Sequence, residues 1–109
     1  MRVWDISVKK LCRSHLLGEH RELHAIWSIL VQKKKGYAHH PETLRWKGKL
    51  RALYQRHKEL VKEMIGRGYR HYSPLDARFA SGAKQQRQFV DLPCAQVVIL
   101  RRKKCGCKV

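Results

Sequence analysis

Trp46, Leu50, Leu53, Tyr54, His57, Val61, Met64 and Ile65 recur at steps of three and four residues, with Leu60 at the margin. Lys49, Glu59, Lys62 and Glu63 fall opposite them. That spacing puts the apolar side chains on one face of an α-helix and the charges on the other. Pro41 suits a first helical position and "GRGY" at 66–69 supplies a stop, so one helix is predicted from Pro41 to about Ile65. A second stripe runs through residues 12–34. Leu16, His20, Leu23, Trp27, Leu30 and Val31 share one side, and His15, Gly18, Glu19, Glu22 and Ile26 form the neighbouring strip. "KKKGY" closes this helix, with cations in its last turn and Gly36 as the expected C-cap.

The C-terminal third reads less simply. Residues 70–90 contain Ser73-Pro74 and Gly82 among many polar groups, and are expected to form a long loop with at most a turn of helix. In "DLPCAQVVILRRKKCG", Asp91 can cap, Pro93 sits in a first turn, four cations fill a last turn and Gly106 can terminate. Val97-Val98-Ile99 favours a strand by propensity, but both ends carry helix signals and no partner strand is visible, so a short helix is expected. The fold class that follows is all-α: a single compact domain, residues 1–109, of three main helices joined by long loops, with 105–109 as a basic tail. Trp4, Trp27 and Trp46 should supply much of its small core.

Charge limits the partners. Lys and Arg total 25 against 8 Asp and Glu, a formal net charge of +17 on 109 residues. Such a field favours a polyanion, nucleic acid first and an anionic membrane surface second. "VVIL" is the longest purely aliphatic run, far short of a membrane span. Asp5 and Lys9-Lys10 interrupt any secretory signal, so a cytoplasmic, nucleoid-associated protein is expected. Cys12, Cys94, Cys105 and Cys107 do not make the framework of a secreted mini-protein. Cys105-Gly106-Cys107 invites a zinc site, but four ligands are needed and only Cys94 or a remote histidine could complete the set. No metal and no cofactor are therefore expected. Arg101 and Arg102, with Lys103 and Lys104, read instead as a grip on backbone phosphates.

"GEHRELH", residues 18–24, places Glu19 and Glu22 around Arg21 in this basic chain. "MRVWDISVKKLCRSHLLGEHREL" resembles the N-terminus of the phage-type pyrimidine-dimer DNA glycosylases, the UV-repair endonuclease V family. "KGYAHHPETLRW" and "LYQRHKELVKEMIGRGYRHYSPL" are similar to the blocks that follow, and the resemblance spans roughly residues 1–75. It implies three helices in a compact domain and a bifunctional enzyme. The chain's free α-amine attacks the anomeric carbon of the damaged nucleotide and expels the base. The imine so formed undergoes β-elimination, which cuts the strand. A glutamate on the first helix supports both steps, and arginines hold phosphates.

Carried over by position, the resemblance makes the Met1 α-amine the nucleophile and Glu22 the carboxylate. Arg2, Arg21 and His15 become DNA contacts. Arg2 is too large for ordinary methionine removal, so Met1 is expected to stay and keep the spacing. An α-amine titrates at about 7.7–8.0, so a useful fraction is neutral near pH 7. Ala25 stands where the family has a further cation, and His24 or a lysine is the expected substitute. The aromatic C-terminal tail of the phage enzyme is replaced by "RRKKCGCKV", which leaves the lesion less defined than the reaction class. The expected partner is damaged double-stranded DNA, bound by a monomer. A non-catalytic basic nucleic-acid-binding module is the alternative. Glu19 reads as an ordinary helix partner or cap, His20 and His57 as core histidines, and His39-His40-Pro41 as a capping or DNA-facing loop.

Overall fold

The computed structural model describes residues 2–70 and 73–109. Its described elements are helices α1 (Arg13–Gln32), α2 (Pro41–Trp46), α3 (Leu50–Gly66) and α4 (Pro93–Lys103), with 3-10 turns at Val8–Lys10 and Ala77–Phe79. No strand occurs among the described residues, and the all-α class stands. α1 packs along α3, and α2 lies against α1. The core between them holds Leu16, Leu23, Ile26, Leu53, Leu60 and Met64, all fully buried. Trp4, Trp27 and Trp46 join the same cluster. No helix is long and apolar enough to cross a membrane.

The helix expected over 41–65 is two helices. Gly48 takes a left-handed φ of 76°, which breaks the ladder after Trp46. The break is held from outside. Ser81 and Ala83 carbonyls accept the Arg51 and Ala52 N–H groups at 2.8 and 3.2 Å, and the Gly48 carbonyl accepts from Ala83 at 3.0 Å. Donors that a helix start leaves unsatisfied are thus met by the 80–83 loop. A Cβ on Gly82 would collide with the Gly48 carbonyl, so this approach requires glycine.

Three helix ends differ from expectation. α1 stops at Gln32, and Lys33, not Gly36, takes the left-handed cap with φ 53°. Residues 93–103 are helical, as expected, but Leu92 is the N-cap, because Asp91 is turned to pair with Arg2 at 2.9 Å. The α4 stop falls on Lys104, also left-handed, two residues before Gly106. His40 does cap α2, its Nδ1 accepting from the Glu42 N–H at 3.1 Å. In the basic tail, residues 105–109, Cys107 and Val109 pack against the core, and the Lys108 N–H donates to the Lys10 carbonyl at 2.7 Å.

Candidate active-site cleft

Residues 3–6 are extended and irregular, so their backbone groups need partners from elsewhere. They find them on buried charged and amide side chains. The Val3 N–H donates to Glu42 Oε1 at 3.0 Å, the Trp4 N–H to Glu19 Oε1 at 3.1 Å, and the Asp5 N–H to Gln96 Oε1 at 2.7 Å. Arg45 Nη2 donates to the Val3 carbonyl at 2.6 Å, and Arg56 Nη1 to the Ile6 carbonyl at 2.8 Å. Side chains from α1, α2, α3 and α4 therefore converge on one short stretch of chain.

The charges holding this stretch are themselves paired. Arg56 grips Glu19 with two bonds, Nε to Oε2 at 2.7 Å and Nη2 to Oε1 at 2.9 Å. Arg45 meets Glu42 at 2.8 Å and Asp5 at 2.9 Å. Glu19 is 1 % exposed and Arg45 2 % exposed, so neither is a surface charge. Burial pushes the Glu19 carboxyl up, and the Arg56 charge and hydrogen bonds oppose that. Such a pair holds position more than it stabilises, because desolvation offsets most of the Coulomb gain.

The fixed segment forms one wall of a cleft of about 550 Å³. Arg2 and Trp4 line it from that segment. Ser14, His15, Gly18, Glu19 and Glu22 line it from α1, His40 from the start of α2, and Ile99 and Lys103 from α4. The i, i+3, i+4, i+7 spacing of His15, Gly18, Glu19 and Glu22 puts all four on one face of α1. Glu19 is the buried floor, and Glu22 is half-buried at the cleft. Arg2 lies over the Trp4 ring at 5.0 Å while paired to Asp91. His15 meets the edge of Trp4, with ring centroids 5.7 Å apart, and burial, helped by the Lys103 charge, holds its imidazole below the usual value. Glu22 also borders a second hollow, of about 840 Å³, with Ala25, Ser28, Lys34 and Tyr37.

Not every residue picked from the sequence gathers here. Arg2, His15 and Glu22 line one cleft. Arg21 is exposed on another face of α1, beside Leu17, His20, His24 and Ser73. Arg101 and Arg102 are exposed in the last turn of α4, and Lys103 is the α4 cation that lines the cleft. Met1 lies outside the described residues. His24 and Lys34, the two kinds of residue expected to replace the family's cation, both border the hollow that Ala25 borders. Glu42, Arg45, Arg56 and Gln96 were not legible as site residues, since charge in a helical stretch reads as solvated surface. Their signal was their place on faces otherwise rich in apolar residues.

Comparison with curated proteins and with solved structures gave no significant match. The sequence profile of the family described as pyrimidine dimer DNA glycosylase matches residues 1–77. That span contains the fixed N-terminal segment, all of α1 to α3 and the cleft residues up to His40. With more than half of its length matched, this chain belongs to the pyrimidine dimer DNA glycosylase family.

Proposed function

We propose that this glycosylase also cuts the strand, using the Met1 α-amine as nucleophile and Glu22 as its carboxylate, with pyrimidine dimers in duplex DNA as substrate. The observation that carries the reading is the immobilised segment at residues 3–6. Five hydrogen bonds from buried side chains fix its backbone, and Arg2, next to Met1 in sequence, lines the same cleft as Glu22. A catalytic group on a chain terminus needs such anchoring, because an untethered end would sample too many positions to meet a carboxylate productively.

In this reading the neutral amine attacks the anomeric carbon and the base leaves with its bonding electrons. Ionised Glu22 stabilises the positive charge that develops on the sugar and then moves protons in imine formation. β-Elimination breaks the bond to the 3′ oxygen and leaves the strand cut. Arg2, His15 and Lys103 serve phosphates along the cleft, and Lys34 takes the part of the absent cation beside Ala25. Tyr37, 70 % exposed at the second hollow, offers a ring on which an unstacked base can sit. Arg21, Arg101 and Arg102 add sequence-independent phosphate contacts outside the cleft. The protein acts as a monomer.

Borohydride reduction tests the central step. Wild-type protein should become covalently attached to irradiated or abasic duplex DNA. Acetylating the α-amine, or adding residues before Met1, should abolish both trapping and cutting while binding persists. Glu22→Gln should lower cutting on the order of 10²–10⁴-fold at nearly unchanged affinity. An acetylated protein that still cuts would remove the amine from the mechanism, and a wild type that binds without trapping would reduce the chain to a binding module.

A further inference from the structure

The structure assigns a metal site at the edge of the cleft: we propose that Cys12, His15, Cys105 and Cys107 together bind one zinc ion. The four ligand atoms all lie within 4.8 Å of one another. His15 Nδ1 is 3.1 Å from Cys12 Sγ and 3.6 Å from Cys107 Sγ, and Cys105 Sγ is 3.4 Å from Cys107 Sγ. Tetrahedral zinc with ordinary bond lengths separates neighbouring sulfur and nitrogen ligands by about 3.5–3.8 Å. Small adjustments of side-chain torsions turn the observed cluster into that tetrahedron.

The fold delivers the ligands in two pairs. Cys12 is the N-cap of α1 and His15 lies in its first turn, a C-x2-H spacing that puts both side chains at one helix end. Cys105 and Cys107 follow α4 as C-x-C, and Gly106 between them has φ 96°, which turns the chain so that both thiols face inward. The Lys108 to Lys10 backbone bond sets the register between the two pairs. The Cys12 N–H donates to Cys107 Sγ at 3.1 Å, the kind of bond that supports a thiolate ligand. All four cysteines are free, so the trio is available as thiols.

The chemistry suits zinc. Three soft sulfur ligands and one imidazole in a closed tetrahedral set mark a structural site with no position open for substrate. Binding sends three thiol protons to solvent and transfers no electron. The resulting net charge of −1 sits at the positive end of α1, where Lys103 lines the cleft together with His15. With Nδ1 on the metal, His15 keeps only Nε2 for the cleft, and its ring is fixed against Trp4. The ion would join residues more than ninety positions apart and hold the α4 end of the cleft against α1.

The test reads metal, not repair activity, so it succeeds or fails independently of the strand-cutting mechanism. Full-length protein from zinc-replete cells, purified under reductant without chelator, should carry one zinc per chain by plasma mass spectrometry. Cys94→Ser should leave that stoichiometry intact, whereas Cys105→Ser and Cys107→Ser should each lower it by at least about fivefold. Cobalt added to wild-type apoprotein should give thiolate-to-metal charge-transfer bands, a readout that stands even if the variants misfold. Folded wild type that takes up neither metal overturns the assignment. So does full zinc retention in the Cys105 and Cys107 variants, which would move binding to the imidazoles of His20, His24 and His57.

Discussion

Residues 3–6 and residues 105–109 are both irregular chain laid against the first turns of α1, and they are held by opposite means. The N-terminal stretch is gripped by side chains from all four helices, nearly all of them buried. The C-terminal stretch is tied by the backbone bond from Lys108 to Lys10 and by a cluster of thiols with one imidazole. The first kind of anchoring is permanent, since it is made of the polypeptide itself. The second is conditional, since three thiols and an imidazole hold firmly only around an ion. The difference fits what each stretch does in the proposed enzyme: the first carries the nucleophile, and the second supports one side of the cleft.

The largest expected effect breaks the permanent anchor. Glu19→Ala leaves Arg56 buried beside the Ile6 carbonyl with its main partner gone, which should cost about 3–5 kcal/mol in urea unfolding. Replacing both partners, Glu19→Met with Arg56→Leu, should recover most of that loss, because two desolvated charges disappear together. It should not recover strand cutting, because Trp4 and Ile6 still lose their side-chain partners. A double variant that is both stable and fully active would show that the pair does nothing for positioning.

The conditional anchor should matter less to the whole fold. Chelating zinc from the protein is expected to lower stability by about 2–4 kcal/mol, comparable to opening a covalent bridge across a long loop. The helical circular dichroism should survive, and proteolysis should begin in residues 104–109 while residues 3–6 stay protected. Equal exposure of both ends would mean that they form one cooperative unit and that the contrast between them is wrong.

Much of the scaffold was legible in the sequence, for a physical reason. α1 and α3 show their periods because one face of each meets the core, so apolar side chains recur with the helix turn. The gap at Gly48 leaves no trace in the sequence pattern, because Trp46 and Leu50 keep a four-residue spacing across a three-residue break, which preserves the pattern without the helix. Of the proposed site, Arg2, His15 and Glu22 share a cleft, while Arg21 does not border it. The buried network was hidden because Glu19, Glu42, Arg45 and Arg56 look solvated until their partners, 3 to 50 residues away, are known. The thiol cluster was hidden by distance. C-x2-H and C-x-C are both visible in the chain, but only the fold-back of residues 105–109 makes them one group.

Mild acid offers the smallest test of the permanent anchor, because it reaches that anchor through the helices that carry it. The Glu19–Arg56 pair spans α1 and α3, and the next residues along, His20 and His57, meet with His24 in the same interface. The Ser73 carbonyl can only accept, so His57 Nε2 carries a proton and donates to it at 2.9 Å. His24 Nε2 faces the same nitrogen at 3.1 Å, and Arg21 borders the hollow outside. Burial first, and the neighbouring His24 second, hold the His57 imidazole below its usual value. An unfolded chain protonates this histidine at about 6.5, whereas the folded one waits for lower pH. Stability from this group is therefore complete above about pH 6.5 and declines as pH falls through the interval below it. His57→Gln keeps a donor for Ser73 and removes the titration, so its unfolding midpoint should change less between pH 7 and pH 5 than that of the wild type. Protection of the Trp4 amide in hydrogen exchange should fall over the same interval, because the α1–α3 interface that bears Glu19 loosens. A pH slope identical in the two proteins would remove His57 as its source and leave the N-terminal anchor insensitive to acid.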